Sequence, residues 1–286
     1  MSFEVRHVAG ALGAELSGVD LRSMDDADIE ALRALIHEHE VVFFRELWLT
    51  DEEHLSLGRA LGTPSIFPIS RLLGGTEPSF QRISDGPESP SEADSWHTDV
   101  TWVAEPPKYA LLCAEVMPDR GGDTIWASMT AAYDALSPTM QRVVSDLRVV
   151  HDNESFVAAL LRKTSGNPGA EQLAERLRGE YPPVVHPLVR TNPDTGRRAL
   201  FLGGQFMRHI EGMHDDESRA LLEFLARHID APRFHCRWRW TPGDLAIWDE
   251  RSTNHRNAGE RLLQQRTIRR IEIDGDRPYL DVVTPD

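Results

Sequence analysis

Three residues of this chain have the types and order needed to bind a divalent metal ion: His97, Asp99 and His255. His97 and Asp99 are two residues apart in the sequence SWHTDVTW, and His255 follows the sequence GDLAIWD far downstream. Two imidazoles and one carboxylate hold Fe(II) on one face and leave open positions for a cosubstrate and O2. A closed structural zinc site would more often use four Cys or His ligands. The pattern therefore indicates an iron-dependent oxygenase.

The spacing of His97 and Asp99 has a structural explanation if this segment is a β-strand. Side chains at positions i and i+2 leave the same face of a strand, so these two would project together. The neighbouring Trp96, Val100 and Trp102 favour an extended, half-buried segment. We therefore predict a strand that presents both ligands to one site.

The His-x-Asp spacing is weak evidence alone, because it also occurs at His214 and at His228. These two copies flank an amphipathic run over residues 215–229, where charged residues are typical of helix ends. His37 and His39 close another amphipathic run and are interpreted in the same way. Of the three copies, His97 has both a strand-like context and a distal partner.

Length, composition and charge exclude several classes of protein. The 286 residues, 40% hydrophobic and 27% charged, are ordinary for a soluble globular protein. A net charge of −15 argues against a nucleic-acid partner, which needs a basic surface. No apolar run approaches membrane-spanning length and no signal-peptide pattern begins the chain, so we expect no membrane partner. Two cysteines cannot form a disulfide framework, and we expect buried thiols in the cytoplasm.

The order of predicted elements indicates a mainly β fold with flanking helices. Many short strands with a few outer helices are typical of a double-stranded β-helix, the cupin-like jelly roll. An open parallel sheet is disfavoured because helices do not alternate with strands. We predict one domain over residues 1–286, with lid-like insertions at about residues 71–95 and 151–180. Both insertions are polar and rich in Gly, Pro or Ser.

Two capping boxes mark the beginnings of the first helices. Ser23 with Asp26 precedes an amphipathic run at residues 29–36, and Thr50 with Glu53 precedes a second run that Gly62 ends. Between them, residues 41–44 are apolar and predict a buried strand.

Several motifs in a fixed order carry a resemblance to a known family. They are HTD at residues 97–99, GGDTIWAS at 121–128, WRW and GD within 238–244, and two arginines after His255. The chain resembles the taurine dioxygenase (TauD/TfdA) family over about residues 3–280. The resemblance implies Fe(II), 2-oxoglutarate and O2 as cofactors, with release of succinate and CO2 as a small anionic organic substrate is hydroxylated.

The resemblance also implies roles for individual residues. His97, Asp99 and His255 would bind iron, and Arg266 with Thr124 would bind the far carboxylate of 2-oxoglutarate. A planar guanidinium can bind a carboxylate through two parallel hydrogen bonds. Arg270 would hold the anionic group of the substrate. Strand parity supports this pair, because Arg266 and Arg270 share a strand face about 13 Å apart.

The substrate pocket is less well defined by the sequence. Trp102, Val100, Phe206 and Trp248 are candidate lining residues, although aromatic residues in strands are more often core. Taurine-specific members have a histidine in the loop near residues 68–71 and an asparagine shortly before the ligand segment. This chain has Ile-Ser-Arg at 69–71 and Glu-Ala-Asp at 92–94. An alkyl sulfate or sulfonate therefore fits better than taurine.

The sequence leaves other substrate and functional classes open. The substrate could instead be a carboxylate, of an aryloxyalkanoate or amino-acid-derived type. A non-catalytic jelly-roll binding protein or a zinc hydrolase would keep the triad, but neither needs Arg266 and Thr124. A requirement for 2-oxoglutarate discriminates among these classes, and assembly into a homo-oligomer is left open.

Overall fold

The fold is described by a computed structural model that covers residues 2–91, 93–164 and 167–281. Fifteen strands and eight α-helices are described in these ranges. The strands are β1 (Glu4–His7), β2 (Ala14–Ser17), β3 (Val41–Phe44), β4 (Gln81–Asp85), β5 (Tyr109–Val116), β6 (Thr124–Ser128), β7 (Arg148–His151), β8 (Val184–Pro187), β9 (Val189–Thr191), β10 (Arg198–Leu200), β11 (Met207–Ile210), β12 (His235–Trp238), β13 (Leu245–Asp249), β14 (Thr253–Asn257) and β15 (Arg266–Ile273). The helices are α1 (Asp26–His39), α2 (Asp51–Leu61), α3 (Pro68–Leu72), α4 (Met129–Asp134), α5 (Pro138–Ser145), α6 (Glu154–Lys163), α7 (Pro168–Glu180) and α8 (Asp215–Ile229).

A seven-stranded sheet forms one wall of the molecule, in the order β1-β2-β3-β13-β5-β15-β4. Its pairs are antiparallel except for β2 with β3. A three-stranded antiparallel sheet, β12-β6-β14, forms a second wall. One apolar cluster joins residues of β3, β5, β13 and β15 to residues of β6 and β12, so the two sheets face each other across it. Within this cluster, the Phe43 and Trp238 rings stack with centroids 4.2 Å apart.

Successive side chains of a strand point to opposite faces, and this alternation decides which side chains lie between the two sheets. On β3, Val41 and Phe43 belong to the cluster between the sheets, whereas Val42 and Phe44 belong to a second cluster. That second cluster includes Leu32 of α1 and Leu61 of α2. The two helices therefore cover the outer face of the large sheet, and alternation separates the inner from the outer core.

The helix and strand predictions near the start of the chain are mostly confirmed. Thr50 and Glu53 form the capping box of α2, and Gly62 follows its last residue. The start of α1 was wrong by two residues, because Asp25 rather than Ser23 accepts the backbone N–H of Asp28. Residues 41–44 form the fully buried β3, as their apolar composition predicts.

The two predicted insertions contain more regular structure than the sequence indicated. Within residues 71–95, β4 joins the large sheet as an edge strand beside β15. Within residues 151–180, α6 and α7 pack on each other and bury Val157, Ala174 and Leu177. Residue 92 of the first predicted insertion and residues 165–166 of the second lie outside the described residues. In the part of the chain that is described, no helix is long and apolar enough to cross a membrane.

Candidate active site

The predicted metal triad converges in three dimensions. His97, Asp99 and His255 each offer a ligand atom, and these atoms lie within 4.8 Å of one another. The Asp99 carboxylate lies 3.7 Å from Nε2 of His97 and 3.7 Å from Nε2 of His255. All three side chains are buried. The fold therefore brings His255 to His97 and Asp99, although more than 150 residues of sequence separate it from them.

The backbone that presents Asp99 differs from the predicted strand. His97 forms an isolated bridge with His255, through backbone hydrogen bonds of 3.1 and 2.9 Å, and the chain then turns. The backbone N–H of Asp99 donates to the Glu250 carboxylate at 3.2 Å instead of to a strand partner. Val100 follows with φ of +52°, a conformation that a β-branched residue rarely adopts. The ligands thus converge through a strained turn rather than strand alternation.

His255 is buried on the strand β14. On β14 it stands opposite Trp126 of β6, and Asn257 stands opposite Thr124. Residues two apart share a face, so Thr124 and His255 project from the same side of the small sheet. The Trp248 ring packs 5.1 Å from the His255 ring, centroid to centroid, and closes one side of the site.

The protonation states favour metal binding. Nδ1 of His97 lies 2.8 Å from the Ser95 carbonyl oxygen, a contact that assigns the proton to Nδ1 and frees the Nε2 lone pair. Burial, with the neighbouring His97, lowers the pKa of His255 to about 3, which keeps its imidazole neutral. Burial would raise the pKa of Asp99, but Arg270 and the two histidines outweigh it and hold that pKa well below its usual range. A metal ion needs imidazole nitrogens and an ionised carboxylate as donors, and Nε2 of both histidines faces the Asp99 carboxylate, so this donor set fits Fe(II).

Arg270 lies beside the triad. Its guanidinium donates to the Asp99 carboxylate and, at 2.8 Å, to the Gln81 side-chain oxygen. The Glu272 carboxylate lies 3.2 Å from the same guanidinium. Arg270 is thus a buried cation adjacent to the candidate metal ligands, as the sequence predicts for a residue that holds the substrate anion.

Arg266 lies on the same strand face, four residues earlier on β15. Its guanidinium donates to the Gly122 carbonyl at 3.1 Å, to Asp85 at 3.2 Å and to the Thr124 hydroxyl at 3.5 Å. The Trp240 indole also donates to the Thr124 hydroxyl, at 3.0 Å. The structure therefore brings Arg266 and Thr124 together, as predicted for a carboxylate-binding pair.

Gly122 has a specific role in this arrangement. Its φ of +77° favours glycine, and an added Cβ would lie 3.2 Å from Cδ of Arg266. The Gly121-Gly122 pair before β6 thus allows the backbone to approach the arginine. A cavity of about 460 Å³ borders Arg266, Asp85 and Gly122, and it extends towards Asn257.

A second cavity lies on the Arg270 side of the triad. It has a volume of about 350 Å³ and borders Val100, Phe67, Arg71, Tyr181 and Glu272. Trp102 and Phe206 do not border it and pack in the apolar cluster behind Val100. Contact of these two aromatic residues with a substrate stays a prediction.

Sequence reasoning did not identify four polar groups around the site: the buried Asp85, Glu250 and Glu272 and the half-buried Gln81. Glu250 accepts hydrogen bonds from the Trp248 indole at 2.7 Å and from the Asp99 backbone. Burial, reinforced by Asp99, raises the pKa of Glu250 well above its ordinary value. For Glu272 a signal was present in the sequence, because it continues the alternation of Arg266 and Arg270 along β15.

Comparison with known proteins identifies the family. A model described as taurine catabolism dioxygenase TauD, TfdA family, matches residues 4–271. The chain belongs to the TauD/TfdA family. It is therefore a 2-oxoglutarate-dependent dioxygenase with a jelly-roll fold, as predicted, and its cofactors are Fe(II), 2-oxoglutarate and O2.

This TauD/TfdA chain is similar to proteins whose names give different substrates. It is 37% identical to an alpha-ketoglutarate-dependent sulfate ester dioxygenase of Pseudomonas putida, covering 97% of this chain and 91% of the relative. It is 31% identical to an alpha-ketoglutarate-dependent 2,4-dichlorophenoxyacetate dioxygenase of Cupriavidus pinatubonensis, covering 92% and 94%. The solved structure of a taurine dioxygenase from Burkholderia xenovorans matches with a TM-score of 0.79 at 33% identity, covering 97% of this chain and 93% of the other.

Proposed function

We propose that this enzyme hydroxylates a small organic sulfate or sulfonate, with His97, Asp99 and His255 as the iron ligands. The observation that carries the proposal is the position of the buried triad beside Arg270, with the Arg266–Thr124 pair further along the same strand face. Iron held by these three residues would supply, together with 2-oxoglutarate and O2, the oxidising power for hydroxylation of a substrate C–H bond.

The residues of the chain bind and orient the reactants. Arg266 and the Thr124 hydroxyl bind the far carboxylate of 2-oxoglutarate in a buried position, where a charged hydrogen bond is strong. Arg270 binds the substrate anion on the other side of the triad. The Glu250 carboxylate holds the backbone of Asp99, and the Ser95 carbonyl orients His97. Small errors in the placement of the reacting C–H bond would be costly in rate.

The anion class follows from the arginine and from the relatives. A guanidinium binds a sulfate, a sulfonate or a carboxylate through paired hydrogen bonds. The sulfate ester dioxygenase relative favours a sulfate ester, and the 2,4-dichlorophenoxyacetate relative supports a carboxylate as the second candidate. Hydroxylation of the carbon bonded to sulfur or to the ester oxygen gives an adduct that fragments to an aldehyde with sulfite or sulfate.

We further propose that residues 1–286 act as one cytoplasmic catalytic domain. The buried, free Cys113 and Cys236 support a reducing compartment. Gly86, Pro87, Pro90 and Ser91 border the cavity at Arg266, and Arg71 borders the cavity beside Glu272. These positions support a lid role for the insertion at about residues 71–95, and a lid role for the insertion at about residues 151–180 stays a prediction.

The test is a product assay with matched substrates. The iron-loaded enzyme would be given 2-oxoglutarate and an alkyl sulfate, an alkyl sulfonate or an aryloxyacetate. Succinate would be measured together with sulfate, sulfite or phenol. We expect succinate and sulfate or sulfite in equal amounts, and a large loss in Arg270→Lys, which keeps the charge but not the planar donor geometry. Iron binding of that variant is the control. Succinate formation that no anion stimulates would contradict the proposal.

A further inference from the structure

Two buried histidines outside the metal triad lie against the turn that carries Asp99. His151 of β7 is 0% exposed and His186 of β8 is 2% exposed, and their ring centroids are 5.1 Å apart. Nε2 of His186 lies 2.9 Å from the Thr101 carbonyl oxygen and 3.0 Å from the Val103 carbonyl oxygen. Both hydrogen bonds of this nitrogen are therefore with the turn rather than with the sheet to which His186 belongs.

The protonation of the His186 ring follows from these contacts. A carbonyl oxygen can only accept a hydrogen bond, so Nε2 carries a proton and donates to both oxygens. Burial lowers the pKa of His186 to about 4, so the ring is neutral near pH 7. A neutral imidazole thus supplies a hydrogen-bond donor to the turn without adding a charge near the triad.

The turn has a backbone conformation that needs support from outside. Val100 has φ of +52°, and such a conformation persists in a β-branched residue only where the surrounding contacts fix it. Within the turn, the Val103 N–H donates to the Val100 carbonyl oxygen at 3.2 Å. Before the turn, the Asp99 N–H donates to the Glu250 carboxylate. Asp99 is thus held on one side by Glu250, and the chain that follows it is held by His186.

The loop that contains Gly203 and Gly204 packs directly on the same segment. A Cβ atom on residue 203 would lie 2.3 Å from Oγ1 of Thr101 and 2.7 Å from Nδ1 of His151. A Cβ atom on residue 204 would lie 2.0 Å from the Trp96 carbonyl oxygen. Because there is no room for a side chain at either position, the loop backbone contacts residues 96–101 closely. The contacts of the loop and of His186 therefore define the position of the turn together.

We propose that His186 is a positioning residue for Asp99. Its Nε2–H fixes the turn at residues 99–103, so that the carboxylate faces His97 and His255 before a metal ion binds. Hydrogen bonds outside a ligand set change metal affinity by about 10–100-fold, because they orient the ligands in advance. This inference rests on the proposed function, since it takes His97, Asp99 and His255 as the iron ligands.

The test compares three variants of His186 in the metal-free full chain, titrated with Fe(II) under anaerobic conditions. His186→Leu removes the donor, and His186→Asn keeps an amide that is too short to reach both carbonyl oxygens. His186→Gln places an amide N–H close to the position of Nε2. We expect the affinity for Fe(II) to fall at least about tenfold in the first two variants and to be largely retained in His186→Gln.

The absorption spectrum of the Co(II)-loaded protein is a second readout, because its visible bands depend on the geometry of the ligands. We expect the bands to change in His186→Leu and His186→Asn and to be restored in His186→Gln. His228→Leu is the matched control, because Nε2 of His228 lies 2.8 Å from the Ala132 carbonyl oxygen of α4 rather than from the turn. It removes the same kind of hydrogen bond, and we expect it to leave the affinity and the spectrum unchanged.

The outcomes separate a positioning role from a structural one. Urea unfolding identifies the variants that fold, and if His186→Leu does not, the comparison of His186→Asn with His186→Gln decides. An unchanged affinity for Fe(II) in His186→Asn would overturn the proposal. An equal loss in all the variants of His186 would overturn it too, because the packing of the ring rather than its hydrogen bonds would then be responsible. If the wild-type protein does not bind Fe(II), the proposed function fails and this inference fails with it.

Discussion

Asp99 is the residue that the other buried polar and charged groups of the site contact. It faces two histidines, it pairs with Arg270, and its own backbone is held by Glu250. Because Arg270 and the two histidines stabilise the ionised Asp99 carboxylate despite its burial, the site keeps an anionic candidate ligand where desolvation alone would favour the neutral form.

At the residue scale, the first prediction concerns this ligand. In Asp99→Asn we expect the affinity for Fe(II) to fall more than about a hundredfold, because outer-shell partners alone change metal affinity by 10–100-fold. Equilibrium titration with Fe(II) under anaerobic conditions measures it. Asp230→Asn is a control, since Asp230 accepts a hydrogen bond from the Trp96 indole and lies outside the triad. Unchanged affinity in Asp99→Asn would remove this residue from the ligand set.

The second prediction concerns Asp85, which binds the arginine that we assign to 2-oxoglutarate. The Asp85 carboxylate lies 3.2 Å from the guanidinium of Arg266, and burial raises its pKa. A second carboxylate brought to Arg266 must approach this negative charge. In Asp85→Asn we therefore expect the KM for 2-oxoglutarate to fall by about three- to tenfold, because like charges in proximity are costly.

Steady-state succinate formation at varied 2-oxoglutarate measures the effect of Asp85→Asn. Asp119→Asn is the matched control, because Asp119 contacts Gln264 and lies outside the residues that border the Arg266 cavity. A higher KM for 2-oxoglutarate in Asp85→Asn would mean that Asp85 orients Arg266 rather than competing for it.

At the scale of elements, much of the fold could be predicted from the sequence. The strand β3, whose four residues are all apolar, and the helix α8, whose sequence is amphipathic, are found at their predicted limits. Separate motifs in order predicted which residues the structure brings together at the candidate site, namely His97, Asp99 and His255, with Arg270 beside them. Those signals are local or depend on residue order, which a single sequence retains.

The features that were not predicted depend on contacts distant in sequence. The edge strand β4 is short and polar, and its strand form is decided by pairing with β15. The turn at Asp99 depends on the Glu250 carboxylate, 151 residues later. Gln81 and Glu272 lie on adjacent strands, and only the register of β4 against β15 reveals that they meet at Arg270.

The apolar cluster behind Val100 gives a prediction at the scale of elements. Phe206 packs with Val100 and Trp102 and with residues of α6 and α7. We expect Phe206→Ala to lower the free energy of unfolding by about 3–5 kcal/mol, the usual cost of removing a buried aromatic ring. Urea unfolding measures it, with the exposed Leu263→Ala as the control. A change in substrate KM without a loss of stability would instead identify Phe206 as a pocket residue.

At the scale of the whole molecule, two buried titratable groups change the free energy of unfolding with pH in opposite directions. Burial lowers the pKa of His54 to about 3 and raises the pKa of Glu40 to about 7. The contribution of neutral His54 to the free energy of unfolding is complete above about pH 6.5, the pKa of a histidine in the unfolded chain. That contribution is lost as the pH falls towards 3. The stability that Glu40 allows is complete below pH 4.5 and is lost as the pH rises through 7.

Two variants should therefore show opposite pH trends. Relative to the wild type, we expect His54→Leu to gain stability as the pH falls from 7.5 to 5. We expect Glu40→Gln to gain relative stability as the pH rises from 5 to 8. Urea unfolding at a series of pH values measures both differences, and each variant is the control for the other. Parallel trends, or none, would mean that neither group titrates differently on unfolding.

The most direct test of the central claim is an anaerobic absorption titration of the metal-free protein with Fe(II) and then with 2-oxoglutarate. We expect a visible charge-transfer band that requires both additions and is absent in Arg266→Ala, while Fe(II) binding by that variant is retained. A shift of the band on addition of an alkyl sulfate would connect Arg270 to the same centre. If Fe(II) binds and no band forms with 2-oxoglutarate, the roles assigned to the triad and to Arg266 are wrong.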